Sequence, residues 1–408
     1  MFLESFRSDG TNSGDLAQTM VESISTTAGP VYRFTNEFWT SGQRKASSLH
    51  EVSYRACFKP QLPRFFIDRL THPGDIVYDP FCGRGTTLIE AALMGRRVVG
   101  NDINPLSRIL VLPRLAVPEE SEIHERIQQI PVDQESQAEI DLSMFFHPIT
   151  ESEIVSIKNY LAARKASGEE DHIDLWIRMV ATNRLTGHSA GFFSVYTLPP
   201  NQATSPKRQQ IINRKRNQVP EYRNTRELIM KKTKSLLSRV DEAAVSNLRS
   251  AALSAQIFSS DSSDTKLIEN ESIALVVTSP PFLNTVDYSA DNWLRCWFNS
   301  IDTSEVEKRL TVSSSLSEWS DKMQLTFHEL HRVVRPGGCV AFEVGEVRRK
   351  SILLDEVILP LGRKAGFTCE AIIVNKQQFT KTSNIWGIRN NESGTNTNRI
   401  VLFRRENR

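Results

Sequence analysis

The sequence predicts an α/β protein: a doubly wound, central, mostly parallel sheet with a large helical insertion. Three observations predict it. Over residues 75–102 a short buried strand runs into a glycine-containing turn, a helix, and a second strand that ends in an acid. This pattern stops near residue 113 and resumes near Gln256. Apolar strands separated by a helix and a Pro-Gly-Gly turn then follow toward residue 403. Strands alternating with helices cover both faces of a parallel sheet, and they come in this order in doubly wound folds.

Composition narrows the class. The chain has 408 residues, 39% hydrophobic and 24% charged. That length exceeds the ~100–200 residues of one ordinary domain, so it implies two units or one enlarged by an insertion. A disordered chain, a fibre and a membrane bundle are excluded by the same numbers. The apolar run at 273–277 is far short of the ~20 residues that span a bilayer. The first ten residues show no apolar stretch behind a basic cluster, so the expectation is a cytoplasmic protein without a secretory signal. Five scattered cysteines without a CxxC pair argue against a disulfide framework and a zinc site, and no metal is expected. A net charge of only +2 means that a polyanionic partner must be held by a local patch.

Element by element, residues 1–48 read as a loose tail, since their Ser, Thr, Gly and Asp content shows no periodicity. Residues 49–112 form the first part of the α/β unit. The stretch QLPRFFIDRL (61–70) predicts a helix burying Phe65, Phe66, Ile67 and Leu70. Residues 75–79 predict a strand, 86–94 a helix closed by Gly95, and 97–102 a second strand, with Pro105 opening the next helix. Residues 113–250 read as a helical insertion and 251–408 as the second part of the α/β unit. There, strands are expected at 273–278, 339–344, 371–374 and 399–403, with a helix over 317–334.

The turn after the first strand, DPFCGRGTT (79–87), places Gly83 and Gly85 between strand and helix. Glycines there let backbone approach a ligand. No third glycine follows in GxGxxG spacing and no Lys-Ser/Thr as in a phosphate loop, so nothing cradles a pyrophosphate. Asp79 can hold an ammonium. Asp102, about 20 residues on at the end of the second strand, can bind ribose hydroxyls, or it can cap the helix that starts at Pro105. That set suits S-adenosylmethionine better than NAD or ATP. Asp261, in a Ser-rich loop ahead of a strand, is either an acceptor for the adenine amine or a turn residue.

The strand at 273–278 ends in Ser279-Pro280-Pro281-Phe282. Two prolines fix φ and remove N–H donors, so the carbonyls are rigidly aimed at the carboxyl end of a strand, where open α/β sheets bind ligands. A nucleobase can stack on Phe282 while its exocyclic amine donates to Ser279 Oγ and the Pro280 carbonyl. Accepting both amine hydrogens draws the nitrogen toward tetrahedral and frees its lone pair for methyl transfer. Alternatively, Pro-Pro simply ends the strand.

DPFCGRGTT and TSPPF resemble motifs I and IV of the amino-methyltransferases that modify DNA at cytosine N4 or adenine N6. In that family motif I reads DPFxGxGTT and motif IV reads S/D/N-PP-Y/F/W. Phe58-Lys59-Pro60 resembles motif X, which packs on the methionine end of the cofactor. The resemblance covers about half the chain. It implies a Rossmann-like class I methyltransferase fold and S-adenosyl-L-methionine as cofactor. Cofactor contacts would come from Lys59, Pro60, Asp79, Pro80, Phe81 and Gly83. Gly85, Thr86, Thr87, Asp102, Ile103 and Asp261 complete that set, while Ser279, Pro280, Pro281 and Phe282 would be catalytic. The serine form of motif IV is similar to that of cytosine-N4 enzymes; adenine N6 and, on the same fold, guanine N2 of tRNA stay open. C5-cytosine methylation is disfavoured, because it needs a cysteine nucleophile beside the base and residues 278–282 hold none. The large insertion ahead of Asp261 departs from the family's common layouts. Double-stranded DNA is the implied partner and a cognate restriction endonuclease a further one, whereas oligomeric state is left open.

Residues 207–234 hold ten Lys/Arg against two Glu, a local +8. Lys207, Arg208, Arg214, Lys215, Arg216 and Arg223 are the expected phosphate contacts; a solvated helix face is the other reading. Two further stretches read either as base-pocket walls or as ordinary packed loops. One is 183–201, with His188, Phe192, Phe193, Tyr196, Pro199 and Pro200; the other is 379–399. Asp287, Tyr288 and Asn292 are held as substrate-facing candidates. His328 and His331 read as ordinary helix residues.

Overall fold

In a computed structural model, the described residues are 19–26, 29–40, 46–55, 57–198, 203–281, 288–309, 315–344, 346–347, 352–376 and 397–407. The strands are β1 (Met20–Thr26), β2 (Gly29–Asn36), β3 (Ile76–Asp79), β4 (Arg97–Asn101), β5 (Gln256–Phe258) and β6 (Ile273–Thr278). They continue with β7 (Val334–Val344), a small hairpin β8 (Glu346–Val347) and β9 (Ile352–Leu353), β10 (Phe367–Lys376) and β11 (Thr397–Arg405). Nine of them form one sheet in the order β1-β2-β10-β11-β7-β6-β3-β4-β5. The run β7-β6-β3-β4-β5 is parallel throughout, and β11 is antiparallel to both its neighbours. This is a doubly wound, Rossmann-like topology, with a mostly parallel central sheet. After β3 the chain steps outward to β4 and β5, then returns to lay β6 on the other side of β3. The reversal puts a crevice at the carboxyl tips of β3 and β6, where open α/β sheets take ligands.

Strand alternation gives the sheet two cores. Val77, Leu275, Val277, Ala341 and Ile373 face one core; Tyr78, Val276, Val340, Phe342 and Val374 face the other. Helices α1 (Gln61–Leu70), α2 (Thr86–Leu93) and α3 (Leu106–Leu115) cover the first face. The insertion supplies α4 (Glu120–Gln129), α5 (Pro148–Ser167), α6 (His172–Arg184), α7 (Pro206–Arg216), α8 (Thr225–Leu237) and α9 (Glu242–Ala252). Its apolar residues, among them Phe145, Ile154, Trp176 and Leu236, join the same core as α1–α3. Helix α9 lies back on α2, its Asn247 donating to the Leu93 carbonyl at 3.0 Å. The expected helical insertion is therefore present, and it is fused to the sheet's helical layer. After β6 come α10 (Tyr288–Phe298), α11 (Thr303–Arg309), α12 (Leu316–Val333) and α13 (Leu354–Lys364). Helices α12 and α13 cover the second face with Phe327, Leu330 and Ile358.

Two expectations need correction. The loose tail does not extend to residue 48: β1 and β2 form a hairpin, and β2 pairs in parallel with β10. Strand β2 sends Val31 into one core and Phe34 into the other, and the remaining side chains of the hairpin are half-buried or exposed. With a single anchor on each face there is no alternation to read. Strand β7 also begins five residues earlier than expected: Arg335-Pro336-Gly337-Gly338 lies inside it as a register irregularity opposite Ile273 and Leu275. Gly337 adopts φ +75°, as the Pro-Gly-Gly sequence allows.

Candidate active site at the tips of β3 and β6

The cofactor turn leaves β3 at Asp79. Cys82 N–H donates to the Asn101 carbonyl on the neighbouring strand, and Gly85 N–H donates to the Cys82 carbonyl at 2.6 Å. Gly83 and Gly85 sit at φ +50° and +75°. At Gly85 a Cβ would come within 2.4 Å of Val111 Cγ2, so α3 packs against the turn as only glycine permits. Thr86 and Thr87 start α2 directly behind it, and Thr87 Oγ1 donates to the Val277 carbonyl of β6 at 3.0 Å. Pro80 is buried, Phe81 is half-buried against the second core, and Ile103 is half-buried beside Asp102.

Asp79 is 2% exposed. Its Oδ1 accepts from the Phe81 amide at 3.1 Å and from Thr278 Oγ1 at 2.6 Å. Burial pushes the carboxyl up to about 7, against the lowering effect of the Thr278, Phe81 and Thr87 hydrogen bonds. Thr278 is the last residue of β6, so one hydrogen bond ties the cofactor turn to the strand that carries Ser-Pro-Pro. Asp102 accepts from Gly83 N–H at 2.8 Å and, through its other oxygen, from Asn104 N–H at 2.9 Å. The second bond is a local turn ahead of α3, whose N-cap is Pro105 without a side-chain cap bond, and the first braces the glycine turn itself. Burial raises this carboxyl too, opposed by the same two amides.

A layer of loop and arginine holds the turn from behind. Arg84 Nη1 donates to the His50 and Val52 carbonyls at 3.2 and 2.7 Å. Fully buried Arg114, on α3, donates to the carbonyls of Leu110, Leu49 and Arg84. His50 Nε2 meets Glu90 Oε1 of α2 at 2.7 Å. Residues 46–55 are thereby pinned against the turn, and the Tyr54 ring passes Gly83 at the contact distance a Cβ would leave, 3.4 Å. Ser53 is bonded to Asn183 at the end of α6, and Arg55 pairs with Asp291 of α10 at 2.5 Å. Pro60 caps α1, and Lys59 is exposed at its entrance.

On the Ser-Pro-Pro side, Ser279 is half-buried and Pro280 buried, while the Pro281 carbonyl accepts from Trp319 Nε1 at 2.9 Å. Phe282 and Asp287 lie outside the described residues, as do Pro199, Pro200 and most of 379–399. Asn292 is turned inward, accepting from Arg295 at 2.9 Å. Asp261 lies beyond the tip of β5, but its carboxylate is engaged by the Lys322 ammonium and by Ser263. Burial works to raise that carboxyl, and those partners more than offset it, leaving it below its usual range.

Helix α7 reaches the same end of the molecule. Ala203 N–H donates to the Asp291 carbonyl at 2.8 Å, and Trp293 Nε1 to the Thr204 carbonyl at 3.2 Å, so the helix starts against the α10 turn that follows Ser-Pro-Pro. Lys207, Arg208, Arg214, Lys215 and Arg216 are exposed, and among the described residues none meets a carboxylate. The Arg216 guanidinium lies 3.8 Å over the Tyr196 ring. Arg223 differs from the expectation of a phosphate contact: it is largely buried, pairs with Glu221 and donates to the Ala190 carbonyl. In the stretch 183–198, Phe192 and Phe193 are buried and Gly187 bridges Tyr196, which is the packed-loop reading.

One acid escaped sequence reading. Glu343, at the end of β7, is 9% exposed, and its Oε1 accepts from Asn398 Nδ2 at 3.0 Å. Ser279 is its neighbour across the β6–β7 register, since Thr278 pairs with Phe342. Burial raises the Glu343 carboxyl, against the lowering effect of Ser279 and Asn398. The available signal was an acid at a strand's carboxyl end.

A family model described as DNA methylase, of the N6/N4 methyltransferase type, matches residues 18–107, which hold β1–β4, the motif X segment and the glycine turn. This segment is similar to the N6/N4 amino-methyltransferases. The type II methyltransferase M.MjaII of Methanocaldococcus jannaschii is 36% identical over 76 residues, 18% of this chain and 14% of that protein. A tRNA (guanine(10)-N2)-dimethyltransferase of the same organism is 40% identical over 63 residues, 15% of this chain and 18% of its own. The chain thus matches less than a fifth of the length of either curated relative. Among solved structures, the rRNA methyltransferase aviRa of Streptomyces viridochromogenes aligns with 88% of this chain and 90% of its own at 10% identity and a TM-score of 0.33. Among the described residues, no helix is long and apolar enough to cross a membrane.

Proposed function

We propose that the chain is an S-adenosylmethionine-dependent DNA methyltransferase that modifies the exocyclic amine of a base flipped from the duplex, with cytosine N4 as the target. The observation that carries this reading is the Thr278–Asp79 hydrogen bond, which sets the glycine turn and Ser-Pro-Pro side by side at one crevice. The residues there suit the cofactor. A buried carboxylate raised to about 7 is one that a bound ammonium would keep ionised. The positive-φ glycines offer a backbone wall without side chains, and Asp102 has lone pairs beyond those engaged by Gly83 and Asn104 for a ribose. The cofactor supplies an electrophilic methyl group on sulfur. Ser279 Oγ and the Pro280 carbonyl accept the amine hydrogens, the prolines hold those acceptors still, and Phe282 gives the base a face on which to stack.

The serine of Ser279-Pro280-Pro281-Phe282 favours cytosine N4 over adenine N6 through its likeness to cytosine-N4 enzymes. Five exposed cations on α7, none of which meets a carboxylate among the described residues, fit the backbone of a flipped-out duplex site, and their affinity would be salt-dependent. A cognate restriction endonuclease and a cytoplasmic location follow from the same reading. A second reading, an RNA amino-methyltransferase, draws on the 40% identity to the tRNA (guanine(10)-N2)-dimethyltransferase segment.

The cofactor site is testable by proton counting. The Asp79 carboxyl, raised to about 7, holds its proton at pH 6.5 in the free protein and should lose it when a cation binds beside it. Titration calorimetry in two buffers of different ionisation heat should show S-adenosylmethionine releasing on the order of one more proton from wild type than from Asp79→Asn at pH 6.5. Wild-type affinity should weaken as pH falls below 7. Equal release by both proteins would remove Asp79 from the site.

A further inference from the structure

Along one edge of the sheet, the carboxyl ends of β6, β7 and β10 and the amino end of antiparallel β11 carry a row of polar residues on one face. Glu343 on β7 lies beside Ser279, the residue after β6, because Thr278 is in register with Phe342. Asn398 on β11 reaches Glu343 diagonally, since Ile400 is the register partner of Glu343. Asn375 on β10 is the register partner of Asn398 and is fixed by two hydrogen bonds to the backbone of Trp39. Alternation puts Glu343, Asn398 and Asn375 on the face of Ala341, Ile400 and Ile373. The row is buried or half-buried and ends at Ser279.

A serine hydroxyl has one hydrogen and two acceptor lone pairs. We infer that Glu343 is a positioning residue for methyl transfer: it takes the Ser279 hydrogen, so that the hydroxyl can present only lone pairs to the target amine. This deepens the proposed function and rests on it. Asn398 occupies Oε1 of Glu343 and so fixes the orientation of the carboxylate. The step balances without an external base. As the N–CH3 bond forms and the S–CH3 bond breaks, the nitrogen gains positive charge. Its proton passes to Ser279 Oγ, and the serine proton passes to the Glu343 carboxylate, which later loses it to water. Burial raises the Glu343 carboxyl, opposed by Ser279 and Asn398, so it is a better proton acceptor than an ordinary carboxylate. Among the described residues, only Ser279 after β6 and Asn398 on β11 bear on its ionisation, and neither carries charge.

Glu343→Gln tests the inference. The amide oxygen can keep Asn398, which leaves the NH2 to donate to Ser279 and turn the hydroxyl hydrogen toward the substrate. At saturating cofactor and nucleic acid, kcat should fall about 100-fold, with cofactor affinity by calorimetry unchanged. In wild type, kcat should fall with decreasing pH as Glu343 gains its proton, and the infrared band of a protonated carboxyl should grow in over the same range. Both features should vanish in Glu343→Gln. Ser279→Ala combined with Glu343→Gln should cost no more than Ser279→Ala alone. Asn398→Ala, at a half-buried position, should give a smaller loss of kcat and shift the acid limb, which keeps the test open should Glu343→Gln fold poorly. Wild-type turnover with an unchanged acid limb in Glu343→Gln, or additive losses in the double variant, would overturn the inference while leaving the proposed activity intact. Absence of any methyl transfer by wild type would instead overturn that activity.

Discussion

Ser279→Ala should lower kcat about 100-fold and leave S-adenosylmethionine affinity essentially unchanged. The alanine removes one acceptor of the amine hydrogens, together with the hydroxyl beside Glu343, and leaves the strand end in place, because that end is fixed independently. Thr278 is held by Asp79, Thr87 holds the Val277 carbonyl, and Trp319 holds the Pro281 carbonyl. The amine lone pair would then stay delocalised in the ring, and the barrier would rise by the interaction made in the transition state. A loss in KM alone would point to a serine that merely helps to bind the base. Steady-state kinetics at saturating cofactor, paired with calorimetry, separate the two. No change in turnover would mean that the amine is held elsewhere.

Arg114→Met should destabilise the protein by about 3 kcal/mol, the largest effect expected away from the chemistry. The guanidinium is fully buried and reaches three carbonyls, those of Leu110, Leu49 and Arg84. Methionine restores most of the volume and leaves those carbonyls with one donor fewer each. The opposing effect is relief from burying a charge: burial and the nearby Arg84 guanidinium lower Arg114 to about 9. Loss of hydrogen bonds should win, because unmet buried acceptors cost about 1–3 kcal/mol each. Urea unfolding reads the stability, and calorimetry should show weaker cofactor binding as well, since the Arg84 carbonyl is part of the glycine turn and Leu49 leads into the loop carrying Tyr54. A variant as stable as wild type would show that the carbonyls find other donors.

The two motifs were legible because each needs special backbone. Gly85 is the residue that tolerates both φ +75° and Val111 against its Cα, and Pro280-Pro281 ends β6 where the sheet reverses. Long runs with clear periodicity were legible as well: α1 spans Gln61–Leu70 and β6 spans Ile273–Thr278, as expected from the sequence. What escaped depended on contacts between distant positions. Strand β2 exists through pairing with β10, more than 330 residues away, and β1 through pairing with β2, not through a pattern of their own. Glu343 becomes a neighbour of Ser279 through strand order alone, with the whole α10–α12 crossover between them. The fusion of the insertion to the sheet's helical layer could not be read from its polar helices, whose buried residues sit in core shared with α2 and α3. The pairing of Asp261 with Lys322 likewise brings together charges that the sequence presents as free.

The most direct test of the account is the product. The purified chain should be incubated with methyl-labelled S-adenosylmethionine and either mixed-sequence duplex DNA or folded tRNA, and the nucleic acid then digested and its nucleosides separated by mass spectrometry. The account predicts label in N4-methyldeoxycytidine from the duplex. Label confined to C5 of cytosine, or none in any exocyclic amine of either substrate while the cofactor binds, would contradict it.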